Sequence, residues 1–285
     1  SEATRRLVWF DREGGRLEEL DGPPITMVPA LSPDERLVAL LVPDPRSGRQ
    51  QLWTIDTESG RETRLTTGSG GELLPFWSPD GTRIVYAARR GEAGGPNRIY
   101  ERAANGTDEE ELLYSVPEDE LAVPLCWSPD GQFILFTRAK RADYLSGGSE
   151  IWMLRRADKT ATPLIQSPFF KRTANVSPDG RWIAYETNES GIAEIVVQRF
   201  PQTGRDKWPI SRGGGYEPEW GGNGRELFYL TPEGALMAID IETDGDSLKV
   251  GAPRVLFQTR IPVRSVLSDQ GVQETFYEPS SDGQR

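Results

Sequence analysis

A four-residue turn motif recurs along this chain of 285 residues. Its clearest copies read Ser-Pro-Asp-Gly, or Ser-Pro-Asp-Glu in the first, and lie at 32–35, 78–81, 128–131 and 177–180. Degenerate copies lie at 221–224 and 280–283, so that successive copies are 44 to 59 residues apart. A period of roughly 40 to 50 residues is typical of proteins built from repeated supersecondary units. The sequence therefore predicts six repeats of one structural unit.

Each repeat has the composition of a small antiparallel sheet. In the turn, proline presets its own φ, aspartate bonds the backbone ahead, and glycine allows a positive φ. A run rich in β-branched and aromatic residues follows the turn, as at 83–86 and 133–136. A second hairpin comes next, as at 52–60, and a short outer strand ends the unit. Four short strands per repeat, without a sustained helical period, indicate an all-β fold.

Four-stranded units repeated around an axis form a β-propeller, which leaves only short, protected strand edges. We therefore predict one domain, residues 1–285, folded as a six-bladed β-propeller of four-stranded blades. The approximate blade boundaries are 22–67, 68–116, 117–167, 168–212, 213–260, and 261–285 together with 1–21.

The last of these blades combines the two ends of the chain. Residues 7–11 repeat the pattern of residues 52–56, so the amino-terminal segment supplies a third and a fourth strand. Residues 274–277, with the turn at 280–283, supply a first strand. Pairing the N- and C-terminal strands in one blade closes the ring. Because the second strand of this blade would begin at Gln284, we expect it to be short or weakly held.

The composition excludes several classes of function. The chain has no histidine, which excludes Ser-His-Asp and Cys-His catalytic systems and histidine-ligated metal sites. Its single cysteine, Cys126, lies between Leu125 and Trp127, so we expect a buried thiol of low reactivity. The net charge of −11 argues against nucleic-acid binding. No apolar run approaches the roughly 20 residues that a membrane helix needs, so we expect no membrane insertion.

Most of the eight tryptophans occupy repeated positions. Three precede the turn motif and three lie in the third strand of a unit: Trp77, Trp127 and Trp220, then Trp9, Trp53 and Trp152. Repetition in register indicates packing between adjacent units. We expect these residues, together with Trp182 and Trp208, to belong to the core.

The turn and the strand that follows it carry a family resemblance. Trp-Ser-Pro-Asp-Gly at 77–81 and 127–131, each before an aromatic-rich strand, resembles the repeat of TolB-like, or WD40-like, β-propellers. Segments 217–220, 226–230 and 255–258 extend the resemblance over nearly the whole chain. The chain is also similar to the carboxyl-terminal propeller of some bacterial Ser/Thr kinases. The resemblance implies a periplasmic or extracytoplasmic location and a sensory or scaffolding role.

The function that we predict is a non-catalytic module that binds a protein or peptide. The innermost strands of a propeller begin at one mouth of its central channel, where loops also converge and form binding sites. Residues shortly before each turn motif should lie there, and the candidate binding residues are Leu74, Arg172, Tyr216, Glu217 and Glu274. We expect no catalytic residue, no metal, no cofactor, and a monomeric protein with a protein or peptide partner.

Two other functions stay open at this point. Glu217 and Glu219 are two residues apart, so in an extended strand they would face the same side and could serve a carboxylate-based lyase or glycosidase. A sensor of a small ligand would instead need a deep pocket with a few converging polar groups. The loop 240–246 is rich in acidic residues, but its spacing does not match the calcium loop of an EF-hand.

Overall fold

The repeated turn motif forms the same set of hydrogen bonds wherever it occurs intact. A computed structural model describes residues 5–25, 29–67, 71–90, 97–144, 148–204, 206–259, 261 and 277–285. In the second copy, the Ser78 hydroxyl donates to Asp80 Oδ1 (2.5 Å) and accepts from the Arg83 amide (2.9 Å). The amide of Gly81 donates to the Ser78 carbonyl (2.9 Å). The turns that begin at Ser32, Ser128, Ser177 and Ser280 repeat this pattern.

The fifth turn keeps the geometry although it lacks the serine and the aspartate. Asn223 Oδ1 accepts from the Arg225 amide at 2.9 Å, and the Gly224 amide donates to the Gly221 carbonyl at 2.8 Å. The last residue of the motif has a positive φ in all six turns. It is a glycine with φ between 67° and 70° in five of them and a glutamate, Glu35, with φ 60° in the first.

Five antiparallel sheets follow one another along the chain, each built around one turn motif. Sheet 1 comprises β3 (Ala30–Leu31), β4 (Leu37–Pro43), β5 (Gln50–Asp56) and β6 (Glu62–Arg64). Sheet 2 comprises β7 (Gly71–Trp77), β8 (Arg83–Arg89), β9 (Asn97–Ala103) and β10 (Glu111–Ser115). Sheet 3 comprises β11 (Glu120–Trp127), β12 (Phe133–Lys140), β13 (Glu150–Arg155) and β14 (Thr160–Ile165).

The next two sheets continue the pattern. Sheet 4 comprises β15 (Lys171–Val176), β16 (Trp182–Thr187), β17 (Glu194–Arg199) and β18 (Trp208–Pro209). Sheet 5 comprises β19 (Tyr216–Trp220), β20 (Glu226–Leu230), β21 (Ala235–Asp244), β22 (Ser247–Val250) and β23 (Arg254–Gln258). In sheet 5 the long strand β21 pairs with β22 near its carboxyl end and with β23 near its amino end. The expected all-β fold of four-stranded antiparallel sheets is confirmed.

Successive sheets pack face to face, and an apolar cluster fills each interface. The first strands of neighbouring sheets contact one another, so β3, β7, β11, β15 and β19 form a common inner layer. Tryptophans before the turn bridge the sheets. Trp77 Nε1 donates to the Ala30 carbonyl (2.8 Å), and Trp220 Nε1 donates to the Asn175 carbonyl (3.2 Å). The contact joins equivalent positions at two interfaces, between sheets 1 and 2 and between sheets 4 and 5.

The other repeated tryptophans lie nearer the surface than predicted. Trp77, Trp127, Trp182 and Trp220 are buried. By contrast, Trp9, Trp53, Trp152 and Trp208 are half-buried, and the last three of them pack against apolar clusters of the core. Trp53 and Trp152 lie in third strands, farther from the inner layer. The guanidinium groups of Arg285 and Arg138 lie over the rings of Trp9 and Trp152 (4.8 and 4.6 Å).

Both terminal segments lie between sheets 5 and 1. Strands β1 (Arg5–Phe10) and β2 (Arg16–Ile25) form an antiparallel pair, and Leu7 and Leu20 pack against an apolar cluster of sheet 1. On the other side, Phe10 stacks on Phe257 of sheet 5, with 6.0 Å between ring centroids. Residues 277–285, called the carboxyl-terminal segment below, contain the sixth turn. Most of the predicted strand 274–277 lies outside the described residues.

The described part of the chain contains no helix of the length and apolarity needed to cross a membrane.

The turn hydrogen bonds predict how substitutions of Asp80 affect stability. Its bond from Ser78 and the amide of Thr82 lower its pKa to about 2. We expect Asp80→Ala to reduce the unfolding free energy by roughly 1–2 kcal/mol, since charge-assisted bonds are lost. Asp80→Asn should have a smaller effect, because Asn223 fills this position in the fifth turn.

The urea midpoint of tryptophan fluorescence measures both variants. The contribution of the ionised Asp80 should be present above the ordinary pKa of 3.8 and should be lost as the pH falls through about 2. Equal midpoints for the alanine variant and the unmodified protein would show that the turn contributes nothing to stability.

Candidate binding site on the inner strands

The inner strands contain bulges, and these bulges determine where the candidate residues lie. The register with the second strand shifts within β7, β11, β15 and β19. In three of these strands a residue other than glycine has a left-handed backbone: Leu74 (φ 46°), Thr173 (φ 40°) and Glu217 (φ 54°). Each stands three places before the residue that precedes the turn motif. Such residues cost about 1–3 kcal/mol each and bulges of this kind re-aim side chains.

The bulge at Glu217 in β19 shows that one expectation about Glu217 and Glu219 is wrong. Glu217 and Glu219 were expected to share a face because alternate residues of an extended strand point the same way. The left-handed backbone at Glu217 and the register shift between Tyr216 and Glu219 interrupt that alternation. The regular alternation of an extended strand therefore does not apply to Glu217 and Glu219, although the charge of Glu217 still acts on Glu219.

The structure places four of the five candidate residues. Leu74, Arg172 and Glu217 are buried, and Tyr216 is half-buried. Glu274 lies outside the described residues. Thus the three buried side chains form a layer beneath the accessible surface, and Tyr216 reaches that surface.

A continuous set of contacts connects Leu74 with Arg172. Leu74 packs in an apolar cluster that contains Tyr144, a buried residue from the loop after β12. The Arg172 guanidinium lies over the rings of Tyr144 (5.5 Å) and Phe170 (4.7 Å). Its Nη2 also donates to the Tyr144 carbonyl at 2.9 Å. Arg172 is thus a fixed, buried cation.

A buried carboxylate continues this set of contacts toward Glu217. Glu186, on β16, accepts from the Thr173 hydroxyl at 3.2 Å and from the backbone amide of Glu217. Burial raises the pKa of Glu186 to about 7, although the charge of Arg172 opposes this increase. Glu186 was not among the candidate residues predicted from the sequence. It could have been noticed as an acidic residue within the apolar strand 182–187, in which every side chain is buried.

Further acidic groups line the same side of the inner layer, at the position two residues before the turn. Asn175 Nδ2 donates to Glu219 Oε2 at 2.6 Å, and Glu278 Oε2 accepts from the Leu31 amide at 2.6 Å. Burial, together with the charges of Glu278 and Glu217, raises the pKa of Glu219 well above its usual range.

Glu278 has a different environment from an ordinary surface carboxylate. Its side chain is exposed, yet protein surrounds it, and this enclosure raises its pKa to about 7. Beside it, Tyr277 donates its hydroxyl proton to the Glu217 carbonyl at 2.7 Å.

At the position two residues before the turn, the residues on the opposite side of the inner layer are apolar, although the buried acid Glu72 lies elsewhere on β7. In sheets 1 to 3 the position equivalent to Glu219 is held by Ala30, Phe76 and Cys126. Cys126 is buried, as predicted, and burial raises its pKa to about 12. Its sulfur accepts from the Val176 amide of the next sheet, in the same way that Glu278 accepts from the Leu31 amide. The inner layer thus has an apolar half and an acidic half.

The acidic half suits the binding of a cationic group of a partner. The raised pKa values favour the neutral forms of these acids, and a nearby cation would favour their ionised forms, because opposite charges attract strongly in an enclosed environment. Among the residues that the structure describes, no three acidic or cysteine side chains are grouped as metal ligands. A cavity of about 530 Å³ lies elsewhere, on the turn side of sheet 1, with Trp9, Glu35, Asp56 and Arg285 in its lining.

Comparisons with known proteins agree with this architecture. Residues 17–145 match a family model described as the TolB beta propeller domain. The Tol-Pal system protein TolB of Anaeromyxobacter dehalogenans is 28% identical over 185 residues, which cover 61% of this chain and 39% of that protein. The chain therefore spans about two fifths of the length of this curated relative.

Solved structures show the same fold. A putative TolB from Agrobacterium tumefaciens is 19% identical, with a TM-score of 0.66 over 96% of this chain and 93% of that one. TolB from Acinetobacter baumannii is 20% identical, with a TM-score of 0.65 over 88% of this chain and 62% of that one. An oligogalacturonate lyase is also similar (14% identity, TM-score 0.61, 88% and 73% coverage), so the fold is shared with an enzyme.

These matches, together with the succession of four-stranded sheets that share an inner layer, show that the chain shares the fold of the solved TolB structures and that residues 17–145 are similar to the TolB beta propeller domain.

Proposed function

We propose that this chain is a non-catalytic, protein-binding propeller of six blades whose site lies at the mouth of the central channel. The sixth blade would combine β1 and β2 with residues 261–285, and the other blades would follow the boundaries predicted from the repeats. Support for closure comes from the contacts of β1 and β2 with both sheet 1 and sheet 5. The carboxyl-terminal segment bonds to sheet 1 through Leu31 and to sheet 5 through Glu217.

The observation that carries the proposed site is the division of the inner layer into an apolar and an acidic half. Phe76, half-buried, stands on the apolar half, and Asn175, Glu219 and Glu278 stand on the acidic half. A protein segment with an apolar side chain beside a lysine or arginine would complement both halves. Arg172 would not contact such a segment and would instead hold the wall behind it in place.

The relatives support a protein as the partner. The matched proteins are named as components of a Tol-Pal system, and an assembly of that kind works through contacts between proteins. We also propose a periplasmic or extracytoplasmic location, which the same resemblance supports, and a monomeric state.

The alternative is an enzyme that uses carboxylates, as a lyase or a glycosidase does. The observation in its favour is the group of acids with raised pKa values, since such groups are concentrated at active sites. In that case the protein would degrade an acidic or neutral glycan, and Glu186→Gln would abolish turnover while the fold stayed intact. Absence of turnover in the unmodified protein, with partner binding present, would favour the binding module.

Capture and mutation test the binding role. The folded protein, immobilised and exposed to an envelope extract of its source, should retain a protein that heat-unfolded material does not retain. Titration calorimetry with that purified protein should then show at least about tenfold weaker binding for Tyr216→Ala and for Glu278→Gln, the loss expected of central contacts.

Leu112→Ala is a matched control for this titration. Leu112 is an exposed side chain (43%) on the outer strand β10, remote from the inner layer. Its affinity should equal that of the unmodified protein. Unchanged affinity in both channel variants would place the partner on another surface.

Glu186, which lies beneath the proposed binding site, should make the unfolding free energy depend on pH near neutrality. The pKa of Glu186 is about 7 in the folded protein and 4.5 when unperturbed, so the folded state holds its proton more tightly. Its contribution is therefore complete below pH 4.5 and is lost as the pH rises through 7. Between pH 6 and 8 we expect the unfolding free energy to fall by an amount on the order of 1 kcal/mol.

Glu186→Gln should flatten this dependence, because the amide stays neutral while still accepting from Thr173. Thermal midpoints measured from pH 5 to 9 provide the comparison, with Glu109→Gln as an exposed control. Parallel curves for the glutamine variant and the unmodified protein would mean that Glu186 does not titrate in this range.

A further inference from the structure

One turn of the six departs from the others at a position where glycine is otherwise used. Gly81, Gly131, Gly180, Gly224 and Gly283 close their turns with φ near 68°. Glu35 occupies the same position in the first turn, with φ 60°. Residues with a Cβ seldom adopt this conformation, and glycine adopts it without strain. The other turns show that glycine would serve the backbone equally well, so the glutamate side chain is the part that needs an explanation.

The Glu35 carboxylate bonds to the opposite end of the chain. Oε1 accepts from the amide and from the hydroxyl of Ser281, each at 2.7 Å. Oε2 accepts from Arg285 Nη2, also at 2.7 Å. The Arg285 guanidinium lies 4.8 Å from the centre of the Trp9 ring. A single side chain therefore ties the first turn of sheet 1 to the sixth turn.

A second ion pair holds the other side of the sixth turn. Arg12 pairs with Glu226 of sheet 5 at 2.8 and 3.0 Å, and it also donates to the Gly283 carbonyl at 2.7 Å. Backbone packing is close here, since a Cβ on Gly222 would lie 2.1 Å from the Ser281 carbonyl oxygen. The carboxyl-terminal segment is thus bound by groups from sheet 5, from β1–β2 and from sheet 1.

These contacts differ in kind from those at the other interfaces. Apolar clusters join each sheet to the next, and within the described ranges none of these clusters includes a residue of 277–285. Polar and charged bonds hold the segment instead. Salt and competing water weaken such bonds at a surface, whereas they affect a buried apolar interface much less.

We propose that Glu35 is a latch that fastens the carboxyl-terminal segment to sheet 1, and that the propeller opens at this seam when the latch is released. The inference rests on the proposed ring closure. Release would free Arg285 from Glu35 and from Trp9, and would widen the cavity that these residues line. The seam is the part of the ring whose opening depends on ionic strength.

Hydrogen exchange of the full chain, followed by mass spectrometry, tests the latch. Glu35→Gly is the informative variant, because it keeps the turn that the five glycines support and removes only the carboxylate. We expect exchange in 277–285 to become at least tenfold faster, on the order of the protection lost when local structure opens. The turn at 177–182, which has the same internal hydrogen bonds, is the internal control and should not change.

Two further variants define the interaction. Glu35→Gln keeps an oxygen for Ser281 and loses the ion pair with Arg285, so its effect should be intermediate. Ser281→Ala removes one partner from the other side and remains available if a Glu35 variant does not fold. In the unmodified protein, raising NaCl from about 0.05 to about 1 M should speed exchange of 277–285, and Glu35→Gly should reduce that response.

The possible outcomes separate the latch from the closure. If 277–285 is protected in the unmodified protein and Glu35→Gly leaves it protected, the latch is wrong and the closed ring stands. If 277–285 is unprotected in the unmodified protein, both the closed ring and the latch are wrong. Protection that is lost in Glu35→Gly, with the 177–182 turn unchanged, establishes the latch.

Discussion

The architecture depends on one local interaction, the bond from a serine hydroxyl to an aspartate two residues later. It closes the turn between the first and second strands of a sheet, and the serine oxygen then accepts the amide at the start of the second strand. This geometry fixes the register of the two strands. Because the register is the same in each sheet, the residue before the turn always points toward the preceding sheet, where Trp77 and Trp220 find a backbone carbonyl.

Much of the fold could be predicted because this interaction is local. The motif, its spacing and the composition of the following strands are visible in the sequence, and each follows from short-range preferences of proline, aspartate and glycine. Arg172 and Glu217 could be singled out because they precede the turn motif. Their burial could not, because it results from the bulges in the inner strands and from the aromatic rings of Tyr144 and Phe170, which are distant in sequence.

The acidic character of the inner layer could not be predicted from individual positions of the sequence. Glu219 was noted in the sequence, but its environment comes from Asn175 on one side and Glu278 on the other, which belong to neighbouring units. Glu186 lies in a strand whose other members are buried, and its role depends on the bulge at Thr173. The acidic character of the inner layer comes from positions at which the repeats differ. The repeat pattern shows only the positions at which they agree.

Because the repeats share the same turn motif, a terminal segment that can bind to one sheet could also bind to the neighbouring sheets. Five glycine turns offer no side chain by which to tell them apart. The carboxylate of Glu35 in the first turn gives sheet 1 a chemical feature that the other turns lack. The side chain of Glu35 therefore makes the first turn different from the other turns, and in the proposed closed ring this difference would disfavour exchange of the terminal segment between neighbouring molecules or closure onto the wrong repeat.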